Sequence, residues 1–249
     1  MNDKSSINEY SSFEFYADYV TKEKALQPDY YKEIERILNE QIKAFYLEYK
    51  RKPIILDVGS AGVIPYSPDL VESAIILDLF SKPDNLELPD NIFWVVGNVL
   101  CNSTLNNIIA GWKVDIIIAS GLLHHLCDSQ NNGIINLHKF MSKIKFFKDA
   151  DIYIFESVCP PFLAKLQDCL WPIQSYILNK IIGFTNVRMI SYKELTDAAI
   201  QNGLKFKEIN FTQPKYIAQF FIKVPLKFYP LRITAFKLNH KNGSHVING

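Results

Sequence analysis

The sequence predicts an α/β fold built on a mostly parallel sheet of seven strands, with helices on both faces. Five short apolar runs each end in an acidic residue, a glycine or another polar residue, as buried parallel strands do where they meet a loop. The segments between the runs are long enough for crossover connections, and residues 134–147 have helical periodicity. Strands that alternate with helices at this spacing form βαβ units.

The five runs place polar groups along one edge of the predicted sheet. The first run ends at Asp57, and the others cover residues 74–77, 92–96, 115–119 and 151–155. Each of these four is followed directly by a polar residue or a glycine. Because open α/β sheets bind ligands at the carboxyl ends of their strands, we expect the functional site at this edge.

The remaining segments are predicted to flank or close the sheet. Residues 10–52 show three-and-four apolar spacing, which indicates two helices divided near Pro28. Residues 157–190 form an apolar helical insertion that we interpret as a cap. Ser191 is expected to cap a helix at 192–202, with Glu194 completing a capping box. Two closing strands are predicted at 205–211 and 217–224.

The predicted elements divide the chain into three parts. An N-terminal helical segment covers residues 1–52, the main domain covers 53–224 with its cap at 157–190, and a C-terminal tail covers 225–249.

Composition narrows the class of protein. Of 249 residues, 48% are hydrophobic, and 27 Lys and Arg oppose 26 Asp and Glu, so no broad positive field attracts nucleic acid. The four cysteines lack zinc-ligand spacing, and no apolar run is long enough to span a membrane. We therefore expect a cytoplasmic protein with no metal site.

A glycine-bearing loop and a second acid predict a site for a ribose-bearing cofactor. Asp57-Val58-Gly59-Ser60-Ala61-Gly62 follows the first strand, and Asp78 lies 21 positions after Asp57. Small residues let a ligand approach the backbone, and the acid accepts hydrogen bonds from ribose hydroxyls. This layout serves both NAD and S-adenosylmethionine. The loop lacks the full GxGxxG pattern of a pyrophosphate cradle, and Asp57 would repel a pyrophosphate but attract an ammonium group.

The same residues resemble the first motif of class I S-adenosylmethionine-dependent methyltransferases, which have a Rossmann-like fold. The family motif runs acid-x-Gly-x-Gly-x-Gly, and this chain has Ala61 and Val63 in place of the later glycines. The resemblance continues through Asp78, Gly97-Asn98-Val99 and the segment 115–126. It implies S-adenosylmethionine as cofactor and S-adenosylhomocysteine as product. The implied cofactor-binding residues are Asp57, Gly59, Ser60, Ala61, Gly62, Asp78, Leu79, Asn98, Val99, Ser120 and Gly121.

Two N-terminal aromatic residues extend this prediction. Tyr16 and Tyr19 could close over the methionine end of the cofactor, as aromatics from that region do in similar enzymes; packing in the core is the alternative.

Three residues are candidates for catalysis. His124 and His125 follow the fourth strand, where an acceptor would approach the cofactor, and an imidazole suits removal of a hydroxyl proton at neutral pH. Glu156, after the fifth strand, is an alternative base or substrate anchor. For all three, a purely structural role stays open.

The acceptor is predicted to be a small molecule methylated at oxygen. The Asn-or-Asp-Pro-Pro-aromatic signature of amine-methylating relatives is replaced here by Ser120-Gly121-Leu122-Leu123. The apolar insertion favours a partly hydrophobic or aromatic acceptor, and a sugar or nucleotide-linked sugar is the alternative. The alternatives are an NAD-dependent oxidoreductase and a catalytically silent cofactor-binding partner; a homodimer is possible for any of them.

Overall fold

The computed structural model describes residues 27–127, 133–177, 187–219, 222–226 and 231–240. The helices of this part are α1 (Pro28–Tyr49), α2 (Asn102–Gly111), α3 (Leu123–Leu126), α4 (Gly133–Ile144), α5 (Pro161–Tyr176) and α6 (Tyr192–Gln201), with a short 3-10 helix at Pro68–Leu70. The strands are β1 (Ile54–Val58), β2 (Ser73–Asp78), β3 (Ile92–Val96), β4 (Ile116–Ser120), β5 (Asp151–Cys159), β6 (Ile190–Ser191), β7 (Leu204–Ile209), β8 (Tyr216–Gln219), β9 (Ile222–Pro225) and β10 (Arg232–His240).

The central sheet has the strand order β3-β2-β1-β4-β5-β10-β7, and the two-residue β6 pairs with the end of β5. Strands β1 to β5 are parallel to their neighbours, whereas β10 is antiparallel to both β5 and β7. This confirms the predicted mostly parallel α/β sheet. The order reverses between β1 and β4, and open α/β sheets bind ligands in the crevice outside the carboxyl ends of the strands at such a point.

The central strands are apolar on both faces because each face is covered. Ile55 and Leu56 are successive residues of β1, so their side chains point to opposite faces of the sheet. Each belongs to a different core cluster. Helix α1 covers one side with Ile34, Ile37 and other apolar residues, and its first turn starts at Pro28, which fits a helix N-terminus. The helix predicted before Pro28 lies outside the described residues.

Helix α6 begins as predicted, with the capping box at Ser191 and Glu194. The hydroxyl of Ser191 accepts a hydrogen bond from the backbone N–H of Glu194, and the Glu194 carboxylate accepts one from the N–H of Ser191. The helix gives way to Gly203, which has a φ of 77°. Glycine adopts this left-handed conformation without steric cost.

The C-terminal part of the sheet differs from the prediction. The segment predicted as one strand at 217–224 is divided between β8 and β9, which form a separate two-stranded sheet. The missing strand is β10, which lies inside the region 225–249 that the sequence analysis assigns to a tail. Its buried run, Ile233 to Phe236, is only four residues long and lies between the charged Arg232 and Lys237, which hides it. Those two side chains pair with Glu208 and Asp151 respectively.

Strand β5 is longer than the sequence predicts. Strand β5 extends to Cys159, so Glu156 lies within the strand rather than after it. No helix in the described ranges is both long enough and apolar enough to cross a membrane.

Candidate active site

The loops that follow β1, β3 and β4 are hydrogen-bonded to neighbouring strands at one edge of the sheet. The N–H of Gly59 donates to the carbonyl of Leu77 at 2.9 Å, and that of Gly121 donates to the carbonyl of Phe155 at 2.9 Å. The N–H of Gly97, after β3, donates to the carbonyl of Asp78 at 2.7 Å. These bonds bring the predicted cofactor loops together at the crevice.

The glycine-bearing loop turns through left-handed backbone conformations. Gly59, Ala61 and Gly62 have φ values of 68°, 49° and 85°. A Cβ atom at Gly59 would lie 2.5 Å from Cδ1 of Leu122, and one at Gly62 would lie 2.5 Å from Cδ2 of Leu86. The left-handed backbone favours glycine at both positions, and a side chain there would also have to displace the end of a leucine. Ala61 adopts a conformation that is strained for a residue with a Cβ.

Asp57 lies at the end of β1 with its carboxylate buried. Neither of its oxygens has a hydrogen-bond partner among the described residues, and the same holds for the hydroxyls of Ser60 and Tyr66. Burial raises the pKa of Asp57 to about 8, and the nearby charge of Asp78 adds to this rise. The sequence analysis did not identify Tyr66; the only signal for it is an aromatic residue four positions after Gly62.

Asp78 lies at the end of β2, beside the glycine loop. Its Oδ2 accepts a hydrogen bond from the N–H of Ala61 at 3.2 Å, and its Oδ1 accepts one from the N–H of Phe80 at 3.1 Å. Burial raises the pKa of this carboxyl. The following residue, Leu79, is half exposed. The acid is thus fixed against the loop, as a ribose-binding role requires.

The turn after β3 holds the other predicted residues of this region. The side-chain oxygen of Asn98 accepts a hydrogen bond from the N–H of Leu100 at 2.8 Å, and the residue is exposed. An amide oxygen has a second lone pair that can accept from a ligand. The side chain of Val99 packs into the core with Leu105, so only its backbone faces the turn.

His124, in the short helix α3 after β4, and Glu156, within β5, form a hydrogen-bonded pair. Nδ1 of His124 lies 2.8 Å from Oε1 of Glu156, whose side chain is 1% exposed. The second oxygen, Oε2, accepts a hydrogen bond from the N–H of Leu123 at 2.8 Å, and Oε1 accepts another from the N–H of Ser157 at 2.9 Å. The buried carboxylate is therefore held by backbone donors and in turn orients the imidazole.

His125 has a different environment. Its ring centroid lies 4.2 Å from that of His124. Desolvation and the neighbouring His124 hold the pKa of His125 well below its usual range. The structure thus separates the two histidines: the ring of His124 pairs with the Glu156 carboxylate, whereas desolvation dominates the environment of His125.

The segment 187–191 connects the predicted cap to this turn. The N–H of Arg188 donates to the carbonyl of His124 at 3.1 Å. The buried guanidinium of Arg188 donates to Asp168 of α5 at 2.7 and 2.8 Å and to Glu194 of α6 at 2.8 Å. The turn that carries His124, α5 and α6 are thus linked through the backbone and side chain of Arg188.

Helix α5, the described part of the cap, exposes much of its apolar surface. Trp171 and Ala164 face inward. The exposed apolar residues are Phe162, Leu166, Leu170, Ile173 and Tyr176.

Two predicted residues, Tyr16 and Tyr19, lie outside the described residues. Within the described ranges, no group of three or more His, Cys, Asp or Glu side chains could hold a metal ion.

No protein-family model matches the chain, and no curated protein resembles it closely in sequence. Solved structures are similar in fold. One is the 1,6-didemethyltoxoflavin-N1-methyltransferase of Burkholderia thailandensis, determined with 1,6-didemethyltoxoflavin and S-adenosylhomocysteine; its TM-score is 0.51 at 14% identity, over 93% of this chain and 85% of that chain. Another is an O-methyltransferase family 2 protein of Planctomyces limnophilus in complex with apigenin, with a TM-score of 0.52 at 12% identity, over 94% of this chain and 63% of that chain.

The human N-acetylserotonin methyltransferase, in complex with SAM, is a third similar structure, with a TM-score of 0.45 at 12% identity. The alignment covers 76% of this chain and 47% of the human chain. The first two similarities show that this chain has the Rossmann-like fold found in these methyltransferases.

Proposed function

We propose that the protein is an S-adenosylmethionine-dependent methyltransferase that methylates a hydroxyl group of a small-molecule acceptor. The observation that carries this proposal is the His124–Glu156 pair, which lies at the same edge of the sheet as Asp57 and Asp78. One half of the edge thus offers acidic groups for a cofactor, and the other offers a base for an acceptor.

The residues at the first half fit the proposed cofactor. The carboxylate of Asp78 is fixed beside the glycine loop, where it can accept hydrogen bonds from ribose hydroxyls. The orphaned carboxylate of Asp57 is suited to a positively charged group, and Asn98 retains an acceptor for the adenine amine. The backbones of Ser120 and Gly121 complete the proposed site on the side of β4, and Leu79 and Val99 flank it.

S-adenosylmethionine, when bound, supplies an electrophilic methyl group. With Nδ1–H of His124 donating to Glu156, the other ring nitrogen, Nε2, is the proton acceptor of the neutral imidazole. We assign Nε2 as the atom that takes the proton of the acceptor hydroxyl, and Glu156 as the group that stabilises the resulting imidazolium. His125 is less suited to this role because its lowered pKa makes it a weaker base.

The structure gives little support to NAD as the cofactor. In dinucleotide-binding folds the strand order is 3-2-1-4-5-6, whereas here the antiparallel β10 lies between β5 and β7. The buried Asp57 carboxylate would also face a pyrophosphate with unfavourable charge.

The acceptor is proposed to be at least partly hydrophobic, on the strength of the apolar cap and its connection to the catalytic turn through Arg188. The two similar proteins were determined with apigenin and with 1,6-didemethyltoxoflavin. A cytoplasmic location and a homodimer remain predictions.

The direct test is transfer of a labelled methyl group from S-adenosylmethionine to a panel of hydroxylated aromatic and aliphatic compounds. We expect an O-methylated product with the wild-type protein and with a His138→Ala control, and a large loss with His124→Ala. An N-methylated product, or full activity of His124→Ala, would contradict the proposed chemistry. Cofactor binding without turnover on any acceptor would favour the silent-partner alternative.

A further inference from the structure

Trp94 of β3 contacts two parts of the proposed cofactor site, although it belongs to neither of them. Its indole Nε1–H donates a hydrogen bond to the carbonyl of Phe80 at 2.9 Å, in the connection that follows β2. A Cβ atom placed on Gly62 would lie 3.5 Å from Cζ3 of the same indole. The ring therefore lies beside the glycine loop, while its N–H reaches the segment that follows Asp78.

The backbone of Phe80 is held at both of its polar groups. Its N–H donates to Oδ1 of Asp78 at 3.1 Å, and its carbonyl accepts the indole N–H of Trp94. The other oxygen of Asp78, Oδ2, accepts the N–H of Ala61 at 3.2 Å. A chain of hydrogen bonds thus runs from the indole through Phe80 and the carboxylate to the glycine loop.

The orientation of the Asp78 carboxylate depends on these backbone donors. A carboxylate has about four acceptor positions, and the backbone N–H groups occupy only part of them. The remaining positions point where the donors hold the group. Phe80 lies in the irregular segment 79–91, where no ladder of strand hydrogen bonds fixes its backbone. The bond from Trp94 therefore restricts the residue that in turn restricts Asp78.

We propose that Trp94 is a positioning residue that fixes Asp78 in the orientation that accepts the ribose hydroxyls of the cofactor. The proposal rests on the proposed function, because it requires a ligand that carries a ribose. Trp94 acts through Phe80 and not on the reacting atoms. It adds a side chain of β3 to a site that the sequence motifs assign to the loops after the strands.

The test is calorimetric titration of wild-type protein and Trp94→Phe with two ligands. The first is S-adenosylhomocysteine, and the second is an analogue of it that lacks both ribose hydroxyls. Trp94→Phe keeps an aromatic ring beside Gly62 and removes the N–H donor. We expect it to weaken binding of S-adenosylhomocysteine about two- to tenfold, the range of one hydrogen bond, and to leave the weaker binding of the analogue unchanged.

The matched control is Trp112→Phe. Trp112 lies between α2 and β4, with its ring centroid 5.1 Å from that of Phe93. We expect this variant to bind both ligands as the wild type does.

Hydrogen exchange of the indole N–H groups, followed by NMR in the wild type, tests the proposal without any substitution. Coupling between two equilibria is reciprocal, so a bond that favours ligand binding must itself be favoured by the ligand. We expect S-adenosylhomocysteine to slow exchange at the indole N–H of Trp94 and to leave that of Trp112 unchanged.

Equal affinities of Trp94→Phe and wild type for S-adenosylhomocysteine, or equal losses for both ligands, would overturn the positioning role. Unchanged exchange at Trp94 on ligand binding would overturn it as well. In each of these cases the wild type still binds S-adenosylhomocysteine, so the cofactor assignment stands. If the wild type does not bind S-adenosylhomocysteine at all, the proposed function fails, and the role of Trp94 fails with it.

Discussion

Nδ1 of His124 lies 2.8 Å from Oε1 of Glu156, although the two residues are 32 positions apart in the sequence. The contact exists because β4 and β5 are parallel neighbours, which brings the turn after β4 against the second half of β5. A buried carboxylate that is already bonded to two backbone N–H groups has little freedom to move. The imidazole is therefore pre-oriented, as a general base in a proton transfer requires.

The first prediction concerns this pair. His124→Ala should lower kcat by about 10²- to 10⁴-fold while leaving the affinity for S-adenosylhomocysteine unchanged, because the imidazole is assigned to the acceptor and not to the cofactor. Glu156→Gln should lower kcat as well, since a neutral amide cannot stabilise the imidazolium. Steady-state kinetics and calorimetry on the same preparations measure both quantities.

The matched control is His138→Ala, which removes a histidine of α4 away from the crevice. Full activity of the Glu156→Gln variant would show that the carboxylate only supports the fold of the turn. A parallel loss of cofactor affinity in His124→Ala would move this histidine from the acceptor side to the cofactor side.

The second prediction concerns the buried Asp57. Its pKa is about 8 in the folded protein and near 3.9 in the unfolded chain, so the folded state holds the proton more tightly between these values. The contribution of this group to stability is complete below about pH 4 and is lost as the pH rises through 8. Asp78 acts in the same direction.

Urea unfolding of the ligand-free protein from pH 5 to pH 9 measures this effect. Asp57→Asn should show a shallower decline in the free energy of unfolding than the wild type, because the asparagine does not titrate. Identical pH profiles for the two proteins would show that Asp57 ionises normally in the folded state.

The third prediction concerns Ala61, which has a φ of 49°. Ala61→Gly should raise the free energy of unfolding by about 1 kcal/mol. A left-handed conformation costs a residue with a Cβ about 1–2 kcal/mol, and glycine removes this strain. Part of the gain is lost because glycine has more conformational freedom in the unfolded chain. Ala110→Gly, in the exposed last turn of α2, should instead destabilise the protein. A loss of stability in Ala61→Gly would show that the methyl group makes contacts that outweigh the strain.

The fourth prediction concerns the buried cation of Arg188. Arg188→Met should cost about 1.5–3 kcal/mol, because it removes charge-assisted hydrogen bonds to Asp168 and Glu194, whose carboxylates are themselves partly exposed. Lys193→Ala breaks an exposed ion pair with Asp197 and should cost less than about 1 kcal/mol. Urea unfolding compares the two variants, and similar small losses would show that the Arg188 network does not hold the cap helix in place.

The sequence alone was sufficient for the parallel part of the sheet and for the capping box at Ser191. Both depend on local patterns, namely an apolar run that ends in a polar residue and a serine three positions before a glutamate. Strand β10 was not predicted from the sequence. It is buried between two other strands, but its short apolar run is bounded by the charges of Arg232 and Lys237, which are not typical of a buried strand.

The site was predictable to a similar extent. Asp57, the glycine loop and Asp78 form a local pattern of known spacing, so each could be identified from the sequence. The pairing of His124 with Glu156, and the orphaned hydroxyl of Tyr66 near Asp57, depend on how distant segments pack. No spacing rule links these residues, and only the folded arrangement reveals them.

S-adenosylmethionine is proposed to bind in the crevice between β1 and β4. Calorimetric titration of the wild-type protein and Asp78→Ala with S-adenosylhomocysteine and NADH tests it most directly. We expect micromolar binding of S-adenosylhomocysteine to the wild type, severe loss in a folded Asp78→Ala variant, and no binding of NADH to either. Binding of NADH, or undiminished binding of S-adenosylhomocysteine to Asp78→Ala, would contradict it.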